Sequence, residues 1–164
     1  MDKYYYFVSQ LPALIFDQKP QVSRDYFLSQ ASQWLGEGEF KHFESISLNN
    51  FMMVSGEPKA LTAYKQFELN LRRELTLFRQ AKQQGGSYQS SGFNLVVDNS
   101  SPLEAERKLL LLRWNFIQEQ ESGHHFDLTW LILYFLKLQI LERLFSFDKD
   151  KGLVLFDQLS VARI

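Results

Sequence analysis

The sequence predicts an all-α protein, a single-domain helical bundle of about five helices with an aromatic-rich core. Three observations carry this. Four segments combine capping residues with apolar residues at three- and four-residue spacing, and no long run alternates apolar with polar. Fifteen Phe, seven Tyr and three Trp supply core volume, since each buried aromatic removes about 150–250 Å² from water. The 164 residues show neither an internal repeat nor a composition break, which fits one domain over 1–164.

Along the chain, residues 4–8 (YYYFV) have strand-like local propensity, although five residues do not decide the matter. Pro12 and Pro20 bracket an apolar turn, LPALIFDQKP. Ser23 reads as an N-cap with Arg24 and Asp25 in the first turn and Gly36 as terminator. In that helix Phe27, Ala31 and Trp34 line one face, with Leu28 and Leu35 beside it. A short helix is expected around 39–46. Pro58 stands where a first helical residue should, and Gly85-Gly86 closes the run. Between them Ala60, Tyr64, Phe67, Leu71, Leu75 and Phe78 form a stripe of helical period. Glu68 and Arg72 add an i,i+4 pair worth about 0.2–0.5 kcal/mol. GGSYQSSG (85–92) reads as a loop, and FNLVV (93–97) as an apolar segment of undecided type. Ser101-Pro102-Leu103-Glu104 is a capping box with proline at the first helical position, and its helix runs towards Gly123. Asp127 caps the last helix.

That last helix, LTWLILYFLKLQILERLF (128–145), is the most apolar run of the chain. It is too interrupted to span a membrane. Its longest uncharged run, 128–136, ends at Lys137 and is followed by Glu142 and Arg143, whereas a span needs about 18 apolar residues. On a helical wheel Gln139, Glu142 and Arg143 share a side that carries Leu128, Ile132 and Phe135 in the first half. The first half is therefore apolar all round and has to be surrounded by other helices or by a partner. Trp130 and Leu131 are expected in the core.

Composition excludes several chemistries. Eighteen basic against nineteen acidic residues give no general attraction to a polyanion, so no nucleic-acid partner is expected. Cysteine is absent, which removes disulfides and thiolate metal sites. The start MDKYYYFVSQ has no uninterrupted apolar segment of signal-peptide character, and a cytoplasmic location is expected. Glu121-Ser-Gly-His124 has the Glu-x-x-His spacing of di-iron bundles, but one copy broken by Gly123 falls short of their ligand set. In Asp148-Lys-Asp150-Lys-Gly152 the glycine comes one place too early for a calcium loop, and Leu159 stands where a bidentate glutamate belongs. The glycines of 85–92 are not followed by Gly-Lys-Ser/Thr, and no serine or histidine has a triad setting. No catalytic residue, metal site or cofactor is expected, and the chain does not read as an enzyme.

One surface pattern remains. Lys65, Arg72 and Arg79 recur every seventh residue along the edge of the 58–84 stripe, with Lys82 nearby. Residues 58–84 hold six basic and two acidic side chains. Such a run is usually a solvated helix flank; the sharper reading is a docking edge for an acidic partner.

The segments YYYFVSQLPAL, SPLEAERKLLLLRWNFI and HHFDLTWLILYFLKLQILERLFSFDKDKG together resemble an uncharacterised bacterial family encoded in V-type ATPase operons. That family is similar to the central-stalk subunit called C in bacterial and archaeal enzymes and d in vacuolar ones. The most specific parts are the tyrosine-rich start with Ser-Gln-Leu-Pro and the FDLTWLILYFLKLQILERL helix. The resemblance implies an all-helical body without catalysis that seats the rotating shaft on the membrane ring. It also implies other V-type ATPase subunits as partners, a role in ion transport, and a place peripheral to the inner membrane through the complex. The stalk subunit is much longer and built from repeated helical units, so this chain reads as an accessory or partial counterpart. The alternative is a helical adaptor or small-ligand carrier unrelated to ATPases, its aromatics lining a pocket.

Overall fold

The structure is a computed structural model that describes residues 2–89, 93, 101–147 and 152–154. Six helices follow in chain order among the described residues: α1 (Asp2–Gln10), α2 (Arg24–Trp34), α3 (Glu37–Ser45), α4 (Lys59–Gln83), α5 (Pro102–Gln120) and α6 (Leu128–Phe145). A further helical turn occupies 152–154, and no strand occurs among the described residues. The all-α class stands, with one helix more than the capping signals suggest.

The extra helix is α1. Strand-like propensity loses there because burial follows a helical period. Phe7 and Val8 are buried, Tyr4 and Leu11 are partly buried against the same core, and Tyr5 and Tyr6 point outward. Positions 4, 7, 8 and 11 form an i, i+3, i+4, i+7 face, and tertiary packing overrides local preference. Phe7 meets Phe27 of α2 at 5.2 Å between ring centroids.

Most caps form as the sequence predicts. The Ser23 hydroxyl accepts from the Tyr26 N–H at 3.1 Å. Ser101 and Glu104 exchange side-chain-to-backbone bonds, each 3.3 Å, opening α5 at Pro102. Asp127 accepts from the Trp130 N–H at 2.8 Å and meets the His124 ring at 2.6 Å. Two positions differ. Gly36 does not end α2 in a left-handed turn; with φ −70° it is the N-cap of α3, its N–H donating to Glu39 at 3.0 Å. Pro58 is the N-cap of α4 rather than its first residue. Gly85, with φ +72°, supplies the left-handed step after α4 that glycine makes without steric cost.

Helix α6 lies at the centre and packs on α2, α3, α4 and α5. Every residue from 131 to 141 is buried, as an all-round apolar helix requires. Phe27 is the hub of the aromatic core, against Phe135 at 4.7 Å, Phe43 at 5.5 Å and Tyr134 at 5.9 Å. All six helices contribute to this cluster. A satellite of Leu71, Leu75 and Leu109 joins α4 to α5, with Phe67 stacked on Phe116 at 4.2 Å. Leu131 is fully buried as expected, while Trp130 is only half-buried, stacked on Tyr134 at 5.1 Å.

Apart from the exposed Arg143, the polar residues in the second half of α6 are not a solvent face. The Gln139 amide donates to the Ile46 carbonyl at 3.1 Å and accepts from the Leu48 N–H at 3.3 Å, holding the chain just after α3. Glu142 accepts from the Arg24 N–H at the start of α2. Tyr134 donates to the Pro12 carbonyl at 2.8 Å, and Lys137 pairs with Glu121 while lying 4.9 Å above the Trp114 ring. Burying these groups is tolerable because each finds a partner.

Candidate functional site

Helix α4 carries the basic pattern, and its environment changes along its length. At the N-terminal end Lys65 is not on an outer edge. It is 1 % exposed, donates to the Met52 carbonyl at 2.7 Å and forms an ion pair with Glu57. The segment preceding α4 folds back over this part of the helix and buries the ammonium. Lys65 is therefore removed from the docking edge, because a charge already desolvated and paired is not offered to a partner.

One turn further, Glu68 sits on the apolar stripe itself and is fully buried. Two arginines neutralise it. Arg113 of α5 makes a two-pronged contact at 2.8 and 2.9 Å, and Arg72 adds its Nε at 2.8 Å. This fork-to-carboxylate geometry is the strong form of an ion pair. Burial works against the Arg113 charge, yet the hydrogen bonds and charge of Glu68 outweigh it and hold the guanidinium above its ordinary pKa. The Tyr64 hydroxyl is buried beside the Arg113 guanidinium without a well-formed hydrogen bond among the described residues. Burial first, and the Glu68 charge second, push its pKa well above the usual phenol range.

Arg72 is the hinge between buried and open surface. Its side chain is 40 % exposed, lies 4.5 Å over the Phe51 ring and touches Asn49 at 3.4 Å. Beyond it, between α4, α5 and the end of α6, opens a cleft of about 320 Å³. Arg72, Arg79, Arg113 and Arg143 all line it, over a floor that includes Leu75, Leu109 and Leu110. Arg143 is tied to Glu106 at 2.6 Å. Arg79 is exposed and makes no ion pair or hydrogen bond among the described residues. Lys82 is exposed one turn further on. Among the described residues, four arginines against Glu68 and Glu106 leave two positive charges uncompensated.

Of the four basic residues singled out in the sequence, the structure thus brings Arg72 and Arg79 into one cleft, leaves Lys82 just outside it, and buries Lys65. Sequence reasoning missed Arg113, Arg143 and Glu106. A signal existed: Arg113 interrupts the run Leu109–Trp114 and Glu68 interrupts the α4 stripe, and charges on two apolar faces need each other.

The remaining candidate motifs do not converge. His124 caps the turn before α6 through Asp127, and Glu121 pairs with Lys137, so the Glu-x-x-His spacing is spent on local contacts. No group of three His, Asp or Glu side chains able to hold a metal occurs among the described residues. The calcium-like run 148–152 lies almost wholly outside the described residues, as does most of 93–97. A second cavity of about 290 Å³ is lined by Leu11, Leu14, Trp130, Tyr134 and Lys137. Among the described residues no helix is long and apolar enough to cross a membrane.

A family model described as a protein of unknown function (DUF2764) matches residues 93–162, a stretch that includes α5 and α6 and hence Arg113, Arg143 and Glu106. No curated protein and no solved structure matches the chain.

Proposed function

We propose that the chain is a non-catalytic structural or accessory subunit associated with a V-type (rotary) ATPase. It works by contact, and it serves ion transport by helping couple the shaft to the membrane ring. Its place is the cytoplasmic side, peripheral to the inner membrane through the complex, with other ATPase subunits as partners. The observation that carries the contact reading is Arg79, an exposed arginine without a partner among the described residues, lining a cleft that three further arginines line. The ATPase setting is supported by the resemblance of YYYFVSQLPAL and of the FDLTWLILYFLKLQILERL helix, and by nothing in the geometry.

Affinity purification of the tagged chain from its native cell, with identification of co-eluting proteins, tests this reading. Rotary ATPase subunits in near-stoichiometric yield at low salt are expected. Their absence under those conditions would contradict it. The second cavity favours one other reading, a small-ligand carrier: two aromatics and two leucines line about 290 Å³, near the lower bound of about 300 Å³ for ligand pockets. An apolar ligand released from the purified protein on denaturation would favour that reading.

A further inference from the structure

We infer that the arginine cleft between α4, α5 and α6 is a carboxylate clamp, and that its occupant is an acidic segment of a partner protein. This deepens the contact reading above and rests on it. Arg113 is not free to bind, since Glu68 occupies its fork; its part is to hold the floor of the cleft rigid and positive. The open position is Arg79, which has no partner among the described residues; beside it stand Arg72, 40 % exposed with its Nε on Glu68 and one Nη on Asn49, and Arg143, 47 % exposed with its Nε on Glu106. Guanidinium forks match planar carboxylates in two-pronged fashion, and clustered arginines recognise acidic motifs. Arg72 and Arg79 lie seven residues apart on one helix, which is about 10 Å along its axis at 1.5 Å per residue. Two carboxylates two turns apart on a partner helix match that separation.

A segment is favoured over a small anion by what continues from the cleft along α4. The stretch that carries Asn49 and Phe51 onto Arg72 runs on, away from Arg79 and towards Lys65, through Met52, Met53 and Val54, exposed by 74, 44 and 61 %. Exposed apolar side chains beyond one end of the cleft suit an amphipathic acidic helix long enough to reach both, with carboxylates on the arginines and apolar groups on this stretch.

The test uses the purified full chain and a fluorescently labelled amphipathic helical peptide with Glu on one face and Leu on the other. A counterpart with Gln for Glu serves as control, inorganic phosphate as competitor, and anisotropy as the readout. Binding of the Glu peptide, weakened by salt and absent for the Gln peptide, is expected. Arg79→Glu should weaken it by about tenfold or more, since it removes a charge-assisted contact and adds a repulsive charge. Arg79→Lys should retain part of the affinity. Thr76→Glu, which sets a carboxylate of the chain's own into the cleft lining, should also block the peptide and does not depend on Arg79. Equal binding of the two peptides, or binding that Arg79→Glu and Thr76→Glu both leave unchanged, would overturn the inference. Phosphate binding without peptide binding would also overturn it, in favour of a free oxyanion. If tagged Arg79→Glu still recovers rotary ATPase subunits at the wild-type yield, the clamp falls while the ATPase reading stands. If the peptide binds through Arg79 but no ATPase subunit is recovered by the wild-type chain, the ATPase reading falls while the clamp stands.

Discussion

Glu142 near the end of α6 accepts a hydrogen bond at 2.6 Å from the backbone N–H of Arg24, the first residue of α2, 118 positions earlier in the chain. A carboxylate at a helix N-terminus satisfies an orphan donor and meets the positive end of the helix dipole. The central helix therefore orders its neighbours through their backbone as well as through apolar contact. Glu142→Ala should cost about 1–2 kcal/mol, the range of a lost N-cap, and Glu142→Gln distinctly less. Urea denaturation of the two variants checks this; equal losses would mean that the charge and the hydrogen bond at Arg24 contribute nothing separable.

The Glu68–Arg113 pair is predicted to be far more sensitive. Arg113→Ala leaves a fully buried carboxylate with Arg72 alone, and breaking a buried pair on one side costs about 3–5 kcal/mol. Replacing Glu68 and Arg113 together by apolar residues should recover most of that loss. A double-mutant cycle in chemical denaturation measures it, and a small additive effect would show that the pair is dispensable.

Tyr64→Phe should be neutral or stabilising by up to about 1 kcal/mol, because it removes a buried hydroxyl without a well-formed hydrogen bond among the described residues. Burial also raises the Tyr134 pKa. Both phenols thus hold their protons in the fold more tightly than in the unfolded chain, whose ordinary value is 10.0. Below pH 10 both stay protonated folded or unfolded and add no pH dependence; above it the unfolded chain releases these protons first, so stability falls as pH rises. Tyr64→Phe should flatten the alkaline limb of a melting-temperature profile. A limb of unchanged slope would place that tyrosine in water.

Leu131 and Trp130 separate core from margin. Leu131→Ala should cost about 2–5 kcal/mol as a cavity in the fully buried part of α6. Trp130→Ala should fall below the 3–5 kcal/mol or so of a fully buried aromatic, since the ring is only partly buried and lines the second cavity. Thermal unfolding of both variants decides the order; a larger loss for Trp130 would contradict the burial described.

Much of this architecture was legible in the residues, and the misses have physical causes. Caps at Ser23, Ser101 and Asp127 are local chemistry, so five residues suffice to read each one. The stripe of α4 and the all-round apolar α6 are likewise written in period and composition. YYYFV could not be read locally, because its helix is imposed by Phe7 and Val8 packing on α2. Lys65 illustrates the opposite limit. Seven-residue spacing places it in line with Arg72 and Arg79, but only the return of residues 52–57 over α4 decides that it is buried. The cleft needed three helices at once, and spacing within one helix could supply only Arg72 and Arg79 of its four arginines.

The central claim is that the chain acts by contact through the arginine cleft, against a rotary ATPase subunit. The most direct measurement places a photo-crosslinking amino acid at Thr76, which lines the cleft, or at Tyr5, exposed on α1, in the chain expressed in its native cell. Crosslinked products are then identified after irradiation. The account predicts a dominant adduct from position 76 to a rotary ATPase subunit, through an acidic segment, that disappears when Arg79→Glu is introduced. Adducts from position 5 alone, or adducts from position 76 only to proteins unrelated to the ATPase, would contradict it.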